Sequence, residues 1–378
     1  MTGPRVVLVG GGHAHALTLR AWARDPAPGV RLSVLSPDRH APYSGMLPGY
    51  VAGHYAWADF HVDLAPLAAA AGAELVLDRA VGLDLAAGRI ARAGGPALDF
   101  ELCSLDTGST SEPPPLPGHA AHLHPVKPID RFLDAWHRFL DRVAAGEVAP
   151  RAAVLGGGVG GGELALAMAH RLEAAASEAG VTLIERGPEI AAELPVAARR
   201  RLRRALAERG VVVRTGTEAT AFAADGVATT AGDTVPAGFV TAAVGARPAP
   251  WLAASGLAVT ADGFVKVDAQ LRSVSDARVF AVGDVAHLTA NPRPKAGVFA
   301  VRQGPVLHAA LRAALADATP PSYTPQRDYL RLISLGAKRA LALKYGLVAG
   351  GTGPLGALLW RLKDRIDRRF MADLDLTG

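Results

Sequence analysis

The chain has 378 residues, half of them hydrophobic, and 40 lysines and arginines stand against 35 aspartates and glutamates for a net charge of +5. That length and apolar content predict two or three domains with buried cores, and the interspersed charges of both signs give no support to nucleic-acid binding. A single cysteine, Cys103, excludes an intrachain disulfide, a Cys-x-x-Cys redox pair and a cysteine-rich metal centre.

The first strand begins within about five residues, which leaves no room for a signal peptide. No apolar run reaches the roughly 18 residues of a membrane-spanning helix, so the sequence reads as cytoplasmic or peripheral on the inner face of a membrane. Arg5 to Val9 is a β-branched run that breaks into Gly10, Gly11 and Gly12 and restarts as a helix at His13. A strand, a glycine turn and a helix N-terminus bring backbone N–H groups against a pyrophosphate. Gly10 and Gly12 therefore predict a dinucleotide seat. The third place of G-x-G-x-x-G holds His15, so this copy is incomplete.

Val30 to Leu35 predicts the next strand, whose end is where an acid usually takes the ribose hydroxyls. Ser36 and Asp38 are the alternatives there. Pro42 to Tyr50, rich in turn formers and aromatics, reads as a loop with a surface to present. Short strands alternate with turns from about 60 to 100 and lead into Leu98 to Leu105, a buried strand opening on Thr107, Gly108 and Ser109. Such small residues permit close approach of a ligand. Ser111 to Gly118 is a stiff proline-rich linker. His119, His122 and His124 follow it without a nearby cysteine or acid cluster, and they read as loop or seam histidines rather than metal ligands.

Ile129 to Val143 predicts an amphipathic helix, after which the strand-turn-helix pattern recurs in complete form with Gly156, Gly158 and Gly161. Its partner strand, Val181 to Ile184, ends at Glu185. A carboxylate there accepts from both ribose hydroxyls and repels a 2′-phosphate, which favours NADH; Arg186 keeps NADPH as the less favoured option. Arg199 to Arg204 lies in a helical pattern and reads as a solvated face. Gly238 to Pro248 repeats the strand-to-small-turn motif around Gly245. Ala277 to Ala286 delivers Gly283 and Asp284 at the end of a buried strand, where Asp284 reads as a ligand to a hydroxyl rather than a base.

Paired glycine turns, Asp106-Thr107-Gly108, Val244-Gly245-Ala246-Arg247-Pro248 and the final Gly283-Asp284, in this order, resemble the two-dinucleotide-binding-domain flavoproteins of the pyridine nucleotide-disulfide oxidoreductase superfamily. Pro42 to Tyr50, Pro125 to Ile129, Pro292 to Pro305 and Trp360 to Met371 are similar to its type II NADH dehydrogenase-like branch, a module also found fused ahead of selenophosphate synthetase. The motif order predicts an α/β fold with two Rossmann-like dinucleotide-binding domains. An FAD domain (1–125 and 264–322) is split by an NAD(P)H domain (126–263), and residues 323–378 form a small C-terminal interface or membrane-association region.

The resemblance implies FAD at Gly10, Gly12, Thr107, Gly108, Gly283 and Asp284, and NADH at Gly156, Gly158, Gly161, Glu185 and Gly245. Glu163 matches a glutamate that type II NADH dehydrogenases place near the nicotinamide. Lys295 precedes a helix expected to point at the flavin, where it would stabilise the reduced flavin or line an acceptor site, and His13 would tune flavin reactivity. The implied activity is hydride transfer from NADH to flavin and onward reduction of a quinone or a small soluble acceptor. A flavoprotein redox sensor responsive to NADH is the alternative. With Cys103 alone, the redox disulfide of the glutathione-reductase branch and the cysteines of sulfide:quinone oxidoreductases are missing. Val298 and Arg302 replace the glutamines of the quinone-site pattern A-Q-x-A-x-Q, which argues against quinone. From Leu355 to Phe370 apolar residues recur at three- and four-residue steps among arginines. That helix would either anchor on a membrane or pack on the protein's own core or on a second copy in a homodimer.

Overall fold

The computed structural model describes residues 3–113, 115–176 and 178–376. In chain order the elements that position the site begin with β1 (Arg5–Val9), α1 (His13–Arg24), β2 (Arg31–Ser36), α2 (Leu47–Val51), β3 (Glu74–Leu77) and β4 (Leu102–Leu105). There follow β5 (Leu123–Pro125), α3 (Ile129–Ala144), β6 (Arg151–Leu155), α4 (Val159–Glu173), β7 (Gly180–Ile184), α5 (Val196–Glu208), β8 (Val212–Arg214) and β9 (Phe239–Ala242). The chain closes with β10 (Val279–Ala281), α6 (Gly297–Leu315), β11 (Arg331–Ser334), β12 (Ala340–Lys344), β13 (Leu347–Gly351) and α7 (Pro354–Leu374).

Two five-stranded sheets organise the molecule, in the orders β10-β4-β1-β2-β3 and β5-β9-β6-β7-β8. Every pairing in both is parallel, with Val6 opposite Leu32 and Leu102 in the first, and Ala152 opposite Val181 and Phe239 in the second. Parallel sheets are covered on both faces and need near-continuous apolar strands. Val6 to Val9 and Ala152 to Leu155 meet that need and are fully buried. In each sheet the first strand of the glycine motif lies between strands that leave it in opposite directions. The crevice beyond such a switch point is where open α/β sheets bind ligands.

α1 crosses α6 at very short range, because a Cβ on Gly304 would come within 2.6 Å of Leu17. Thr18 Oγ1 adds a hydrogen bond of 3.1 Å to the Gly304 carbonyl. α3 and α4 cover the second sheet with Phe132, Trp136, Phe139 and Leu166 to Met168.

Pro42 to Tyr50 departs from the sequence reading. Most of it is a 3-10 turn and α2, with Met46, Leu47 and Gly49 buried and α2 packed on α4. Its aromatic rings pack, Tyr43 on Phe370 and Tyr50 on Phe60. The C-terminal segment forms the antiparallel meander β11-β12-β13 with α7 laid across it. α7 packs on the protein's own core, but not by its most apolar stripe. Gly356, Trp360, Asp367 and Leu374 face inward, while Leu355, Leu358, Leu362 and Ile366 are exposed. No helix among the described residues is long and apolar enough to cross a membrane.

Candidate functional site

Both glycine turns share one backbone device. Gly10 and Gly156 adopt left-handed φ values of +99° and +97° at the ends of β1 and β6. A side chain on either would also collide with the neighbouring strand end, Asp106 and Thr107 in the first case, Ala243 and Val244 in the second. Gly12 and Gly158 then begin α1 and α4 as N-caps that use no side chain. The first helical N–H groups are therefore left for a ligand or a neighbouring acid.

The two turns differ at the third glycine place. In the second, a Cβ on Gly161 would overlap the Gly156 carbonyl, so the helix sits directly on the turn. In the first, His15 fills the gap. Its ring nitrogens lie 2.7 Å from the Gly10 carbonyl and 2.8 Å from Ser104 Oγ, and burial lowers its pKa to about 4. A neutral imidazole thus ties the turn to β4. The side chain stands where helix and strand pack closely.

Asp106, which the motif reading passed over, is the floor of the first turn. Its carboxyl accepts the His15 N–H at 3.1 Å and is the group that a Cβ on Gly12 or on Gly283 would overlap. Burial, more than any other cause, pushes its pKa up to about 7. Gly12 and Gly283 therefore converge on one buried carboxyl, and Gly10 lies against the backbone carbonyl of the same residue. The Thr107 hydroxyl beside it is buried without a hydrogen-bond partner. Glycine walls and an orphaned hydroxyl at the start of a helix fit a pyrophosphate-bearing cofactor.

Asp284 follows Gly283 and pairs with Lys127 at 2.8 Å. The same ammonium donates to Ser109 Oγ at 3.1 Å, next to Gly108. Lys127 follows β5, so this ion pair joins the ends of the two sheets. The sequence offered it only as part of a proline-flanked motif. His13, the first residue of α1, is buried near both charges, and burial holds its pKa below the usual histidine value. At the end of β2, the buried Ser36 hydroxyl donates to the Asp38 carbonyl at 2.7 Å, and the Asp38 side chain is exposed.

In the second turn, Glu185 bridges the Gly157 and Gly187 N–H groups at 2.6 Å each. Glu193 accepts from Val159 N at 3.2 Å. Gly245 lies beyond β9 with φ +51°. Lys295 directly precedes Ala296, the N-cap of α6. Its ammonium donates to the Ala286 carbonyl and lies 4.0 Å from the Phe264 ring centre, and burial lowers its pKa to about 8.

Glu163 projects from α4 toward the C-terminal segment, where Oε1 accepts Ser334 N–H at 2.7 Å. Burial pushes its pKa to about 7. His119 and His122 lie on a single helical turn, His124 stacks on Phe239 at 5.0 Å, and no metal-holding cluster occurs among the described residues.

A sequence model of the pyridine nucleotide-disulphide oxidoreductase family matches residues 4–304. The chain belongs to that family. A NADH dehydrogenase-like protein of Mycobacterium tuberculosis is 28% identical over 60% of this chain and 58% of its own length. Demethylphylloquinone reductase of Synechocystis is 28% identical over 51% of this chain and 48% of its own. The matches thus span about half the length of these relatives. NDH2 from Plasmodium falciparum, in complex with NADH, superposes with a TM-score of 0.82 at 12% identity, covering 99% of this chain and 98% of that one. Cys103 lies buried within β4, and burial pushes its thiol pKa up, which makes it an unreactive core residue.

Proposed function

We propose that this chain is an FAD-dependent NAD(P)H oxidoreductase of the type II NADH dehydrogenase-like kind, with FAD on the first glycine turn and NADH on the second. One observation carries the reading: two parallel sheets bear the same left-handed glycine turn at their switch points, and the Lys127–Asp284 pair joins their strand ends. Bound FAD would supply the two-electron chemistry between nicotinamide and acceptor.

The chain's own groups bind and orient. Gly10 and Gly12 cradle the pyrophosphate, Thr107 offers its unpartnered hydroxyl, and Asp284, steered by Lys127, holds cofactor hydroxyls. Glu185 at the end of β7 favours NADH over a 2′-phosphorylated nucleotide. Glu163 stands on the nicotinamide side, His13 on the flavin side, and Lys295 supplies positive charge near Asp284.

For the acceptor, the outward stripe of α7 favours a quinone drawn from a membrane, although Val298 and Arg302 stand in place of the glutamines of the quinone-site pattern. Leu355, Leu358, Leu362 and Ile366 are exposed, and Arg361, Arg365 and Arg369 are interleaved with them. Apolar contact flanked by arginines suits an anionic bilayer surface. The relative named as a quinone reductase supports the same acceptor class. The test is steady-state turnover with NADH and NADPH against quinone analogues, oxygen and ferricyanide, on protein whose released cofactor has been identified. NADH-dependent turnover with quinone is expected. Flavin reduction by NADH with no turnover on any acceptor would assign the chain as a redox sensor instead.

A further inference from the structure

α7 spends its inward face on charge. Lys363 and Asp367, one turn apart, have side chains only 12% and 6% exposed, whereas Leu358, Leu362 and Ile366 of the same helix face solvent. Burying an ion pair gives little or no net stability over apolar residues of the same size, so packing alone does not explain the choice.

The pair lies in a chain of titratable groups that crosses from one half of the molecule to the other. Lys363 Nζ donates to Asp367 Oδ2 at 2.5 Å and to the Gly45 carbonyl at 2.7 Å. Tyr43 Oη donates to Asp367 Oδ1 at 3.4 Å. The Tyr43 ring lies 4.6 Å from Phe370 and meets His13, first residue of the flavin-side helix, edge-on at 5.0 Å. From the nicotinamide side, Glu163 on α4 faces both Lys363 and Asp367, and Tyr55, Asp364 and Arg368 are further titratable groups around them.

We propose that Asp367 and Tyr43, held in place by Lys363, form a proton relay that serves reduction of the acceptor. This rests on the oxidoreductase reading above. Reduction of a quinone by NADH consumes one proton beyond the hydride: NADH, H⁺ and quinone give NAD⁺ and quinol. The ion pair is the discharged state of the relay: once Asp367 has taken up a proton, its carboxyl passes that proton to Tyr43 Oη as Tyr43 gives its own to the acceptor oxygen, and Lys363 pairs again with the carboxylate left behind. One O–H bond breaks and one forms at Tyr43, and Asp367 is reloaded from water on the Asp364 side of α7. Burial raises the Asp367 pKa against the pull of the Lys363 ammonium, which favours uptake of the proton.

The experiment compares two acceptors on flavin-loaded protein, a short-chain quinone that takes up protons and ferricyanide, which takes electrons alone. The readout is the quinone-to-ferricyanide rate ratio with NADH, followed across pH and in deuterium oxide. Asp367→Asn and Tyr43→Phe are expected to lower the ratio at least tenfold and to flatten its pH profile, and Asp367→Glu to recover most of it. Lys363→Met with Asp367→Asn guards against misfolding, since both uncharged side chains keep the size of those they replace, and it too is expected to lower the ratio. Ratios within twofold of wild type in folded variants would overturn the relay alone. Wild-type protein that reduces neither acceptor would overturn the oxidoreductase reading and the relay with it.

Discussion

At the scale of single residues, Asp106 makes the sharpest demand on its surroundings. Its carboxyl is buried against the first glycine turn, and its pKa is raised from 3.8 to about 7, chiefly by desolvation. The folded protein therefore keeps a proton that the unfolded chain releases. The stability this contributes is fully present below about pH 4 and is lost as pH rises through about 7, up to about 4 kcal/mol in all. Melting temperature should fall between pH 5 and pH 8, and flavin release should quicken over the same range as the ionised carboxyl repels the pyrophosphate. Asp106→Asn should level both profiles; slopes unchanged in that variant would contradict the account. The glycines give a paired test. A Cβ on Gly12 would overlap Asp106, whereas the nearest atom to one on Gly158 is 4.0 Å away. Gly12→Ala should lose flavin on desalting, and Gly158→Ala should keep it with a melting temperature near wild type, both read from absorbance and thermal scans.

At the scale of elements, α7 separates packing from surface contact. Trp360 is buried, with His54 edge-on at 5.6 Å and the Lys338 ammonium 5.4 Å from its ring. Trp360→Ala should cost roughly 3–5 kcal/mol, as large core truncations do, measurable by denaturant unfolding. Leu358→Asp with Leu362→Asp lies on the exposed stripe and should change stability by less than about 1 kcal/mol. The same pair should abolish flotation with anionic liposomes. Flotation equal to wild type would remove the membrane from the account.

This helix also marks the limit of what the sequence could say. Its apolar stripe and its charged stripe both recur at three- and four-residue steps, so periodicity announced an amphipathic helix without saying which face turns inward. The glycine turns were legible because strand, turn and helix are contiguous and Gly10 and Gly156 each need a left-handed φ. His15 was visible as an anomaly, but its partner Ser104 lies 89 residues away. Asp106 was hidden beside the Thr107-Gly108 motif, since its importance comes from crowding against Gly12 and Gly283. Tyr43 and Asp367, 324 residues apart, meet only through tertiary packing.

At the scale of the whole molecule, the two sheets meet at their strand ends. The Lys127–Asp284 pair joins them on one side and α7 spans them on the other, with Glu163 reaching the meander and Tyr43 reaching Asp367. The proposed function uses that arrangement to carry reducing equivalents across the seam from the second glycine turn to the first. Anaerobic rapid mixing of the flavin-loaded protein with NADH tests this most directly. The account predicts that the visible flavin absorbance bleaches in a single turnover, faster with NADH than with NADPH. A flavin that stays oxidised with both nucleotides would contradict it.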